Sequence, residues 1–174
     1  TFALLHRTSI DGDLREARDR LVALANRQRE PGQARYLAIT MLNLANCLRA
    51  MADAPGALEA ATDAVALLGQ LAGVYELSSA YVVRAWALAH LGRLPDARAN
   101  IDLALRHKNP SAEIEVYAEA ADVLGMYADA LDAARLVGEA RQIRGAHKAD
   151  IDILAVAEAQ LAERALAGQL LEAE

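Results

Sequence analysis

Cysteine is nearly absent from this chain of 174 residues, and aromatics make up only 4% of it. The lone Cys47 excludes a disulfide within the chain, and its place in an apolar run points to a buried, inert thiol. With so few rings, alanine and leucine must fill the core, which calls for close packing of helix on helix. Four prolines and ten glycines exclude a collagen-like sequence and argue against disorder. No apolar run reaches the roughly 20 residues that span a bilayer, and no secretory leader stands at the start, so a cytoplasmic protein without membrane contact is expected. The chain opens on Thr1 and Phe2, already inside an apolar run, and reads as a fragment of a longer polypeptide.

The signatures of catalysis are missing too. There is no Gly-rich phosphate loop ending in Lys-Ser/Thr and no G-x-S-x-G or Cys–His signature. His6, His90, His107 and His147 make no His-to-His pair at i+4 and no metalloprotease pattern; His147 with Asp150 reads as a solvated surface pair. No pair of carboxylates stands isolated in an apolar segment where acid–base chemistry would be tuned. A non-enzyme with no metal and no cofactor is the expectation. The net charge of −6 excludes wholesale nucleic-acid binding by this segment. Residues 1–50 nevertheless hold eight arginines against five acidic groups, which read as solvated helix faces with local ion pairs, as in REARDR.

What the chain does have is a period. On a ruler of 40 residues, Ala17, Ala57 and Ala97 coincide; so do Leu21, Ala61 and Ile101; Leu24, Ala64 and Ala104; and Leu5, Ala45 and Ala85. Gly12, Ala52 and Gly92 fall together in a turn. A fixed period of this size indicates stacked supersecondary units. Each unit reads as two helices. The second carries an apolar stripe at i, i+3, i+7 and i+10, and its start is marked by Asp13 with Glu16, by Asp53 with Pro55, and by Pro95. The first helices are expected over about 34–51 and 76–91. After Asn109-Pro110 the ruler slips: a long helix is expected from Ser111 to about Ala134, then a turn over Leu136–Ala140, with Ala128 and Ala140 in the roles of Ala85 and Ala97. The expected organisation is a single domain over 1–174, with repeats at about 1–30, 34–71, 75–108 and 111–147. A capping helix at about 149–172 carries Ile151, Leu154, Leu161 and Ala165 on one face.

Leu44-Ala45, Leu48, Ala57, Ala61 and Ala64 in one copy, and Ala85, Leu88, Gly92, Ala97 and Ala104 in the next, resemble the tetratricopeptide repeat (TPR). The match is degenerate, longer per repeat than the consensus and poor in its aromatics, and it covers about 1–134. The resemblance implies an all-α, right-handed superhelix of antiparallel helix hairpins. The length of the repeats, and the segment ALDAARLVGEARQIRGAHKAD (Ala130–Asp150), are similar to repeat regions of bacterial multidomain regulators of the STAND ATPase class, including LuxR-type and maltose-regulator-like activators. In that family the repeats sense an inducer or a partner, while other domains hydrolyse nucleotide and bind DNA.

In TPR stacks the first helices line a concave groove. The resemblance would place His6, Asn43, Asn46, Arg49, Trp86 and His90 along it, with the amides gripping an extended peptide and a partly exposed Trp86 as an anchor. The bland readings stand beside this: Trp86 packs between helices, the asparagines bond to solvent, and Arg49 and His90 complement a helix C-terminus. The basic clamp of some TPR domains is not matched, since Ile39, Ser79 and Val83 occupy its positions. The leading expectation is a protein or peptide partner in a scaffold or sensor of transcriptional or signalling regulation. The alternatives are a small-molecule inducer enclosed by the superhelix, or self-association as a homodimer.

Overall fold

The computed structural model describes residues 14–30, 32–71, 76–107, 113–125 and 130–143. They form seven helices: α1 (Leu14–Arg27), α2 (Ala34–Ala50), α3 (Ala54–Leu68), α4 (Glu76–His90), α5 (Leu94–His107), α6 (Glu113–Gly125) and α7 (Ala130–Arg141). No strand occurs among the described residues. The chain divides into two compact units, Thr1–Ala104 and Leu105–Glu174.

In the first unit α2 packs against α1, α3 and α4, and α3 packs against α4. Alanine makes the contacts. Ala45, Ala57, Ala61, Ala64 and Ala85 are fully buried. A larger side chain at such a position would force the helices apart, at a cost of about 1–3 kcal/mol. Larger residues fill the space between these contacts, with Leu68, Ile101, Val82 and Val83 all buried. Cys47 is buried as expected, and its thiol donates to the Leu14 carbonyl at the start of α1 (3.3 Å). Burial pushes this thiol above its ordinary pKa, with a smaller opposing pull from Arg18, so it stays protonated and unreactive.

The two described hairpin turns of this unit share one geometry. Asp53 N–H donates to Leu48 O and Ala52 N–H to Arg49 O; Arg93 N–H donates to Leu88 O and Gly92 N–H to Ala89 O. This is the Schellman closure, which needs a left-handed residue just past the helix. Ala52 has φ of 57° and Gly92 has φ of 75°. The next helix then starts at once. Asp53 accepts from Gly56 N–H (3.0 Å) and so caps α3, with Pro55 in its first turn. At the start of α5, Arg93 pairs instead with Asp96.

The second unit corrects the sequence reading. α6 ends at Gly125, short of the long helix expected to about Ala134, and α7 runs straight through the turn expected over Leu136–Ala140. Leu136 and Val137 are both buried in α7, and Arg135 pairs with Asp132 and Glu139 one turn to either side. Packing and i,i+4 pairing outweigh the roughly 1 kcal/mol that Gly138 costs a helix interior. The buried set Ala133, Leu136, Val137 and Ala140 repeats the spacing of Ala97, Asn100, Ile101 and Ala104. Ala133 is therefore the counterpart of Ala97, and Ala140 that of Ala104; likewise Ala121 in α6 answers to Ala85. The 40-residue ruler fails here because this repeat is shorter. Gly12, Asp13, Ala128, the His147–Asp150 pair and the expected capping helix lie outside the described residues.

Candidate functional site

Five of the six residues expected along a groove are described; His6 lies outside them. Asn46 and Arg49 are half-buried, one turn apart on α2. Asn46 spends its amide on its own helix, donating to Leu42 O at 3.3 Å. Asn43 is 3% exposed, and its Nδ2 is a buried donor without a partner. As it stands, Asn43 offers no surface to a ligand.

Trp86 is 8% exposed, which corrects the expectation of a partly exposed anchor. Its ring lies 4.1 Å from that of His90, tilted by 36°. His90 is exposed, and its Nδ1 sits 3.0 Å from the Trp86 carbonyl, which can only accept, so Nδ1 carries the proton. The His90 ring, one turn later on the same helix, lies against the indole. What this face presents is the imidazole.

A second candidate was not anticipated. A cleft of about 310 Å³ opens where α3 supplies Leu58 and Thr62, α4 supplies Arg84 and Leu88, and α5 with its preceding turn supplies Arg93, Asp96, Ala99 and Asn100. Arg84 Nε donates to Asn100 Oδ1 (2.6 Å), and Asn100 Nδ2 donates to Asp96 O (2.8 Å). The Arg84 guanidinium lies 5.2 Å from the centre of the Tyr81 ring. At about 100° per residue, Arg84 and Leu88 face the side of α4 opposite Trp86 and His90. The sequence did carry a signal for this cleft: on the 40-residue ruler Arg84 and Asn100 fall on Leu44 and Ala60, so a polar pair replaces an apolar one.

No family model matches the chain, and no curated protein does. Solved structures do. A Podosopora anserina protein described as a kinesin light chain of nearly identical TPR-like repeats matches with a TM-score of 0.63 at 18% identity, over 98% of this chain and 89% of that one. A single-substitution variant of it matches with a TM-score of 0.61 at 19% identity, over the same shares. The fold is that of TPR-like helical repeats. Stacked repeats of this kind build extended surfaces from successive units. No cluster of His, Cys, Asp and Glu able to hold a metal occurs among the described residues, and none of their helices is long and apolar enough to cross a membrane.

Proposed function

We propose that the chain is a non-enzymatic protein-interaction scaffold, the repeat segment of a cytoplasmic bacterial regulator, and that a partner peptide lies along α2 and α4. The observation that carries this reading is the placement of Asn46 and Arg49 on α2 and of His90 over Trp86 on α4. These are polar, accessible positions on two helices in contact, in a fold whose packing positions are alanines. The regulator context rests on the resemblance of the Ala130–Asp150 segment.

Peptides selected against the chain by display supply the test. Asn46→Ala with Arg49→Glu should weaken their binding at least tenfold, read by fluorescence anisotropy, with the far-UV circular dichroism unchanged. Unchanged affinity would remove this face from consideration. Trp86 is unsuitable for the test, because replacing a buried indole perturbs the fold itself.

A further inference from the structure

We propose that the cleft between α3, α4 and α5 is a receptor for an acidic side chain of a partner protein, with Arg84 as the group that pairs with its carboxylate. The assignment holds whether or not the opposite face of α4 takes a peptide.

Arg84 is half-buried, and no carboxylate of the described residues forms an ion pair with it. Its Nε is committed to Asn100 and its face to Tyr81, which leaves the two Nη groups with no partner among the described residues. A guanidinium in this state matches a carboxylate, which accepts two parallel N–H bonds. The orientation is built in. Asn100 is 7% exposed, its amide nitrogen is tied to Asp96 O, and its Oδ1 is thereby held toward Arg84.

The charge of the cleft fits one negative group. Arg93 is paired with Asp96 (2.7 Å), so the lining carries a single uncompensated positive charge. A phosphate dianion would need a second free cation, which the lining does not offer. The apolar walls Leu58, Leu88 and Ala99 suit the methylenes of a glutamate. Burial also lowers the pKa of Arg84, with Tyr81 opposing, which marks a charge held partly out of water and short of a counter-ion.

Nothing in the fold demands this pair. In the preceding hairpin the same two places hold Leu44 and Ala60, 8% and 3% exposed, and that hairpin packs without a polar contact there. A polar pair inserted into an apolar register position, at the wall of a cleft, is accounted for by a ligand.

Terminally blocked tripeptides, Ac-Ala-Glu-Ala-NH2 and its Gln counterpart, test the assignment on the whole chain. Binding is followed through the backbone amide resonances of α4 and α5, which parent and variants share, at constant ionic strength. The Glu peptide should shift those resonances saturably and bind at least tenfold more tightly than the Gln peptide. Arg84→Gln should abolish the difference. Arg84→Leu with Asn100→Ala, which copies the preceding hairpin, should abolish it too while keeping the melting temperature at or above that of the parent. Equal binding of the two peptides, no saturable shift, or a difference that survives in both variants overturns the proposal. Tighter binding of inorganic phosphate, or of a peptide whose only carboxylate is its C-terminus, overturns the assignment to an acidic side chain.

Discussion

The hairpins α2–α3 and α4–α5 carry the same packing residues at the same places: Ala45 and Ala85, Ala57 and Ala97, Ala64 and Ala104, none more than 4% exposed. Between those places they part. Asn43 stands against Val83, Leu44 against Arg84, Asn46 against Trp86, Ala52 against Gly92 and Ala60 against Asn100. The alanines are set by how closely two helix axes approach, so the choice there is narrow. The remaining positions face a neighbouring repeat, a turn or an opening, and each repeat fills them for its own needs.

The sharpest way to break this comparison is at Asn46 and Trp86. Trp86→Ala empties a buried indole site and should cost about 3–5 kcal/mol. Asn46→Ala removes a half-buried amide bonded within its own helix and should cost less than about 1 kcal/mol. Urea unfolding of the two variants measures both, and equal losses would mean that the two hairpins hold this position in the same environment.

How much of this was legible in the sequence follows from the same contrast. The helix spans of the first unit and the turns at Ala52 and Gly92 could be read because alanine spacing, Asp53 and Pro55 are local signals. The fourth repeat misled because Leu136-Val-Gly resembles a helix end, while burial of Leu136 and Val137 keeps it helical; that is a tertiary effect invisible to local pattern. For the candidate groove, the ruler gave the register of Asn46, Trp86 and His90 but not depth. Whether Trp86 is exposed and whether Asn43 is reachable depend on how the helices pack, and both residues are buried. The cleft escaped because Arg84 and Asn100 are 16 residues apart and meet only when α4 and α5 pack.

Asn43 and Val83 give the next test. The unpartnered Nδ2 of Asn43 costs on the order of 1–3 kcal/mol, and asparagine and valine differ little in helix propensity. Asn43→Val, which gives α2 the residue that α4 already carries there, should therefore raise stability by about 1–2 kcal/mol. A higher urea midpoint with an unchanged slope is the expected record. If stability instead falls, the amide has a partner in solution, and its place in a binding face is reopened.

The smallest effect expected is the most discriminating, because it isolates the backbone. Both turns close with the same pair of hydrogen bonds, yet one places alanine and the other glycine at the left-handed residue. A Cβ at Gly92 would meet no heavy atom within 4 Å, so steric contact with neighbours does not enter. What remains is the strain of an L-residue at positive φ, about 1 kcal/mol after the greater freedom of glycine in the unfolded chain is set against it. Ala52→Gly should gain about 1 kcal/mol and Gly92→Ala should lose a similar amount, so that the double exchange is nearly neutral. Thermal and urea unfolding of the three variants check this. A neutral Ala52→Gly beside a costly Gly92→Ala would mean that the first turn relaxes out of the left-handed conformation in solution, and that only α4–α5 holds the Schellman closure firmly.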